Sequence, residues 1–353
     1  MMSLSALVLW IAAASELQVS TSGESQQTVP AKIVSTAAPI FPASEHGKGN
    51  EAWVHITYCV DESGAPQNVT VLDSVGAAAF EQAAVQSVEQ WTFEPALVNG
   101  KPVWQSRTKT TISFTINDED GQGKNRRVKS FSSNFRKLGR LIDNNQLQKA
   151  DELFWEIYAT TPLSLYDHAT LWAKRALYEV AAGELTNMDV ALHRATISKG
   201  KWLDKDDYVE LLKLRVNVEL RIGQYGDAIA TYDELKKAAG ENSDVVTDLR
   251  SIFELIQEKI DSNSALSIQG EVKARGGCNN CNNSWAFTPL RNRFAFSNVN
   301  GKLASIELRC DHKRFESIVS DEVEWRIPDA WGKCDAQVYG EPGTTFELLL
   351  LPD

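Results

Sequence analysis

Ala52-Trp53-Val54-His55-Ile56-Thr57-Tyr58-Cys59-Val60 is the run whose reading decides the first fold. It is rich in β-branched and aromatic residues, which suit a pleated, half-buried surface, and it predicts a strand. Asp61-Glu62-Ser63-Gly64 follows and reads as a turn. Asn68 to Asp73, NVTVLD, predicts a second short strand, so the two make a hairpin. From Val75 to Trp91 the pattern changes: Phe80, Ala84, Val88 and Trp91 recur at helical spacing. Asn99-Gly100 is a turn, and Thr108 to Ile116, TKTTISFTI, predicts a last strand. The order is β-β-α-β.

Short motifs punctuate this order. Phe41-Pro42 precedes the hairpin, and Ser74-Val75-Gly76 precedes the helix. Trp91-Thr92-Phe93-Glu94-Pro95-Ala96 follows the helix, and Gly100-Lys101-Pro102-Val103 leads into the last strand. Each residue type has a physical role. Trp91 can fold its ring back on the sheet. Pro95 cannot continue a helix, and Gly100 suits a tight turn. In kind and order these residues resemble the TonB C-terminal family, with its Tyr-Pro, Ser-x-Gly, Trp-x-Phe-x-Pro-Ala and Gly-x-Pro-Val. The resemblance runs from Pro39 to about Ile116, less than a quarter of the chain.

The resemblance implies protein recognition by strand addition, in which an extended segment of a partner pairs with an open sheet edge. In the family that edge is the final strand, here Arg107, Thr108, Lys109, Thr110, Thr111, Ile112, Ser113 and Phe114. Arg107, Lys109, Thr111, Ser113 and Thr115 put polar groups on one face; Thr108, Thr110, Ile112, Phe114 and Ile116 lie on the other. Arg107 and Lys109 are the charges expected on an edge that must avoid self-pairing. The plainer reading is a strand solvated on one side. The implied partners are envelope proteins, TonB-dependent outer-membrane receptors among them, and the implied role is support of TonB-dependent transport. The family usually has a full membrane anchor and a long Pro-rich spacer, and usually ends after this domain. The alternative is a periplasmic protein-interaction scaffold without energy transduction.

N-terminal to this stretch, Leu4 to Ala14 is the apolar run LSALVLWIAAA. It reads as a secretory signal over residues 1–14, cleaved near Ser15. Alternatives are a short anchor or an apolar terminus, because no Lys or Arg precedes the run. The expected location is periplasmic, with inner-membrane association through the N-terminus if the segment is not cleaved. Residues 15–35 read as a flexible lead-in, 36–117 as the TonB-like domain and 118–129 as a polar linker. A formal net charge of −11 argues against nucleic acid as the main partner.

Residues 130–262 turn helical, with helices expected near 131–143, 147–159, 165–182, 187–198, 205–222, 226–239 and 244–260. Three turns repeat loosely at Asn145-Gln146-Leu147, Gly183-Glu184-Leu185 and Gly223-Gln224-Tyr225. The third unit, GQYGDAIATYDEL, resembles a tetratricopeptide repeat, and the spacing predicts a helical-repeat domain. An ordinary helical bundle is the alternative. Residues 265–353 carry short apolar strands between Gly, Asn, Asp and Pro clusters, which predicts an all-β sandwich or barrel. The expected fold class is therefore multidomain α+β.

Catalytic motifs are missing. Gly121-Gln122-Gly123-Lys124 lacks the spacing of a phosphate loop, and neither His-Glu-x-x-His nor Gly-x-Ser-x-Gly occurs. The five histidines are scattered. No enzyme activity, cofactor or metal is expected. Cys278, Cys281, Cys310 and Cys334 cluster in the last quarter. In an exported chain they read first as disulfides, with Cys310–Cys334 favoured as a sandwich staple and Cys278–Cys281 closing its own loop. A four-Cys zinc site and a redox dithiol are the alternatives. Cys59 reads as a half-buried free thiol.

Overall fold

The computed structural model describes residues 27–116, 129–274, 283–319 and 323–352. The expected signal segment, the linker residues 118–128 and the Cys278–Cys281 pair lie outside them. The fold is mixed α+β. Among the described residues no helix is long and apolar enough to cross a membrane.

The first part runs β1 (Thr28–Val29), β2 (Lys32–Ser35), α1 (Ala43–Lys48), β3 (Ala52–Val60), β4 (Pro66–Val75), α2 (Ala78–Val88), β5 (Thr92–Glu94), β6 (Ala96–Val98), β7 (Lys101–Val103) and β8 (Gln105–Phe114). Strand β3 is central in an antiparallel sheet of order β4-β3-β8. Because strand side chains alternate, Ala52, Val54, Ile56, Tyr58 and Val60 face one way, where they meet Phe80, Ala84 and Val88 of α2 and Ile112 and Phe114 of β8. The hairpin turn depends on Gly64, whose φ is +83°; a Cβ there would lie 1.9 Å from the Phe93 carbonyl oxygen. Trp91 packs on Tyr58 and Phe93, and its indole nitrogen donates to the Ala37 carbonyl at 3.2 Å.

Val75 ends β4 and α2 starts at Ala78, after the Ser74-Val75-Gly76 motif, because Gly76 breaks the run with a φ of +99°. The lead-in to residue 35 is structured at its end: β1 pairs with β6, and β2 with β5. Its polar backbone supplies ladder partners to residues 92–98, a long-range pairing that short polar runs do not announce.

Seven helices follow among the described residues: α3 (Lys129–Asp143), α4 (Leu147–Thr160), α5 (Leu165–Ala182), α6 (Leu185–Thr196), α7 (Lys205–Arg221), α8 (Tyr225–Ala239) and α9 (Asp244–Asp261). Each packs against the next in the chain. The turn residues Asn145, Gly183 and Gly223 all take left-handed backbone, with φ of 55°, 79° and 76°, which is how a helix is stopped and the chain reversed. Ser164 and Asp167 form a reciprocal capping box at the start of α5.

The last part holds β9 (Leu266–Glu271), β10 (Ser284–Phe287), β11 (Arg293–Asn300), β12 (Leu303–Cys310), β13 (Arg314–Ile318), β14 (Glu324–Arg326), β15 (Cys334–Gly340) and β16 (Thr345–Leu351). They form two four-stranded antiparallel sheets, of order β10-β15-β12-β13 and β14-β11-β16-β9. Trp285, Phe294, Phe296, Ile306, Phe346 and Leu348 from both sheets share one core. Strand β10 was not expected; four residues are too few to establish an alternation.

Cys310 and Cys334 are disulfide-bonded. The bond links directly paired strands of one sheet, β12 and β15, rather than the two sheets. Cys59 is a free thiol and is completely buried, not half-buried. The disulfide closes a loop with a sequence separation of 24, so Cys334→Ser is expected to cost about 3 kcal/mol on the loop-entropy argument. Urea unfolding with and without reductant checks this: reductant should shift the wild-type midpoint to that of the variant.

Candidate functional site

Strand β8 has ten residues and pairs with β3 along one side, in a register that sets Phe114 against Ala52 and Thr108 against Tyr58. It is terminal in its sheet, and no described strand pairs with its outer side. Ile112 and Phe114 are buried toward α2, whereas Lys109 and Ser113 are exposed.

Arg107 and Lys109 are not free edge charges. Asp335 of β15 accepts from Arg107 Nε at 3.0 Å and meets Lys109 Nζ at 2.6 Å. Burial works to raise the Asp335 carboxyl, but Lys109 and Arg107 outweigh it and hold it below the ordinary carboxylate range. Thr111 Oγ1 lies 3.0 Å from His55 Nδ1 on the same face. Burial, followed by the nearby Lys109 charge, pushes His55 down to about 4, so the ring is neutral at pH 7.

Much of the face of this sheet opposite α2 is packed against the chain's own helices and C-terminal strands. Trp53 and Val75 share a core with α3 to α6. Asp73 accepts a fork from Arg194 of α6, Nη2 to Oδ1 at 2.7 Å and Nε to Oδ2 at 3.0 Å. Glu51 accepts the backbone N–H of Leu165 at 2.9 Å and of Ile116 at 2.8 Å, and its own N–H donates to the Leu163 carbonyl at 2.9 Å. Tyr158 Oη lies 3.2 Å from the N–H of Gly76. Arg309 of β12 reaches Thr57 Oγ1 at 3.4 Å and the Asn68 carbonyl at 3.3 Å. Sequence reading missed these residues: each is unremarkable locally, and the partners are far apart in the chain.

Within the helices, Arg215 of α7 meets Glu219 at 2.9 Å and Asp189 of α6 at 3.8 Å. Thr231 donates to Glu219 at 3.0 Å. Burial pushes Glu219 up to about 8 against the pull of Arg215, with Asp189 and Asp227 adding to the rise. Its value in the unfolded chain is near 4.5. Below pH 4.5 the group is protonated in both states. Between there and pH 8 the unfolded chain releases a proton that the fold keeps, so stability falls as pH rises. Glu219→Gln is expected to lessen this fall, by on the order of 1–3 kcal/mol between pH 5 and 8, with Asp189, which burial also raises, keeping the remainder. Urea midpoints at the two pH values should differ less in the variant than in the wild type.

The hairpin, its helix and the terminal strand β8 form a unit that can be compared with known proteins. Residues 37–116 match the family model of the Gram-negative bacterial TonB protein C-terminal. Protein TonB of Yersinia enterocolitica is 35% identical over 77 residues, 22% of this chain and 30% of that protein. Protein tonB2 of Pseudomonas aeruginosa is 41% identical over 80 residues, 23% of this chain and 29% of that one. The chain thus spans less than a third of the length of these TonB relatives. The solution structure of the Pseudomonas aeruginosa TonB C-terminal domain aligns at 23% identity and a TM-score of 0.22, covering 25% of this chain and 89% of that one. The TonB C-terminal match contains β3, β4, α2 and β5 to β8, and it coincides with the stretch that carries the sequence resemblance.

Proposed function

We propose that the chain binds a protein of the cell envelope by accepting an extended segment of that partner along the outer side of β8, and that it supports TonB-dependent transport from the periplasm. One observation carries this reading: a ten-residue strand within the TonB-matching stretch is paired on one side only among the described residues. The segment 36–117 is then the binding domain. The helical stretch 130–262 is a tetratricopeptide-like scaffold, and 265–353 is a sandwich-like domain. The work is binding, not catalysis.

A second reading, a periplasmic scaffold without energy transduction, is favoured by the buried face of the sheet. Asp73–Arg194 and Asp335–Lys109 fasten the binding domain to both other parts, which suits a fixed platform.

Successive N–H groups along a strand point to opposite sides. Of Thr110→Pro and Thr111→Pro, one removes a bond to β3 and the other removes a donor on the outer side only. Extended peptides from the periplasmic ends of TonB-dependent receptors are titrated into the purified chain while amide exchange is followed. The expected result is new protection at alternate residues of β8, lost in the outer-side proline variant although that variant stays folded. Protection arising elsewhere, or binding unaffected by either proline, overturns strand addition. Binding retained in envelopes whose TonB-dependent uptake is unchanged by deletion of the chain supports the scaffold reading.

A further inference from the structure

A cleft of about 500 Å³ opens between the TonB C-terminal-like domain and the C-terminal strands. Asn68 and Thr70 of β4 form one wall. The other is the side of β12, β13 and β15 turned away from their core, since Ile306 and Leu308 point inward. Cross-strand register orders the side chains there. Arg309 stands opposite Arg314, and Glu307 stands opposite Glu316. Neighbouring strands lie about 4.8 Å apart, so donors and acceptors form a grid of fixed spacing.

The grid is held before any ligand arrives. Glu307 is buried, and its Oε1 accepts from Arg309 Nε at 2.7 Å and from Arg314 Nε at 2.8 Å. Its Oε2 accepts from Tyr339 Oη at 2.8 Å. Burial works to raise this carboxyl, but the two guanidiniums and the phenol keep it charged. The remaining donors of Arg309 reach their acceptors on β3 and β4 only at 3.3 to 3.5 Å, longer than well-formed bonds.

The lining selects the ligand by exclusion. Two guanidiniums alternate with two carboxylates. A simple anion meets Glu307 and Glu316, and a simple cation meets Arg309 and Arg314. Apolar surface comes from Ala304, Gly340, the Tyr339 ring and the arginine stems, and it is interleaved with the charged groups. A neutral molecule whose groups both donate and accept satisfies the whole grid, and hydroxyls do so. We propose that this cleft binds a neutral saccharide of one or two rings. Its volume lies within the roughly 300–1,000 Å³ of small-molecule sites. The lining consists of side chains on a sheet face rather than an open strand side, which disfavours an extended peptide. The cleft is lined by no residue of β8, and the proposal does not depend on strand addition there.

The test is calorimetric titration of the full chain with maltose, lactose and chitobiose. Glucose 6-phosphate, spermidine and triglycine serve as charged and peptide probes. At least one neutral disaccharide should bind saturably, with Kd of about 1 mM or tighter. Glu316→Gln on one wall and Thr70→Val on the other should each weaken binding by about fivefold, the loss of one hydrogen bond. Both side chains are exposed, so unfolding midpoints should not move. The proposal is overturned if no disaccharide binds, if both variants bind like the wild type, or if a charged probe or triglycine binds more tightly.

Discussion

Arg194→Ala is expected to destabilise the chain by about 3–5 kcal/mol, the range for removing one partner of a buried ion pair. The guanidinium is 11% exposed and its partner Asp73 is 17% exposed. It is also stacked over the Trp172 ring, with its carbon 4.5 Å from the centroid, so an aromatic face loses its cation as well. Burial works against the Arg194 charge, but Asp73 more than restores it. After the substitution Asp73 stays under the sheet with no counter-charge. Equilibrium urea unfolding measures the loss, and amide exchange locates it: β4 and α6 should open together. The double variant Asp73→Asn with Arg194→Met should recover most of the stability, because both charges are then gone. A single-variant loss below about 1 kcal/mol would place the pair among surface bridges and leave the apolar contacts of Trp53 and Val75 as the fastening.

Arg291→Ala is expected to cost a similar amount, about 3–5 kcal/mol. Arg291 is 5% exposed and lies between the end of α9 and the last strands. Its Nε donates to the Ile260 carbonyl at 2.9 Å. Its Nη2 donates to Lys259 at 2.9 Å and Ser262 at 2.8 Å. Its Nη1 donates to Ser264 at 2.7 Å and Leu350 at 3.2 Å. The last carbonyls of a helix have no partners within it and sit at the negative end of its dipole, so one side chain caps α9 and ties it to β16. Removing it takes a donor from five carbonyls at once; the Lys259 carbonyl keeps Ser262, and each one that water cannot reach costs roughly 1–3 kcal/mol. Arg291→Lys should rescue little, since an ammonium lacks the planar fork. Differential scanning calorimetry is the check: a C-terminal part that melts earlier than the rest is expected, and a variant that melts with the wild type would refute the tie.

Much of the local structure was legible. The run Leu165–Ala182 shows a helix because residues three and four apart meet on one face, and Gly183 marks its end because only a left-handed residue closes it. Leu303–Cys310 and Thr345–Leu351 read as strands because they are short apolar runs set between turn clusters. The three-residue strands β5, β6 and β7 were not legible, because a period of two cannot be seen in so few residues. The same local logic makes Arg107 and Lys109 edge charges, yet Asp335 takes both.

The kinds of element, their approximate limits and the stretch that resembles TonB C-terminal domains are written in the local sequence. These follow from interactions among residues a few positions apart, which periodicity and turn chemistry record. That one face of the β4-β3-β8 sheet is largely covered by the chain's own helices and strands follows from the docking of distant parts. The Arg107–Asp335 pair spans 228 positions and Asp73–Arg194 spans 121. Such pairs form only after whole sheets and helices have docked, and docking depends on complementary surfaces rather than on any local pattern.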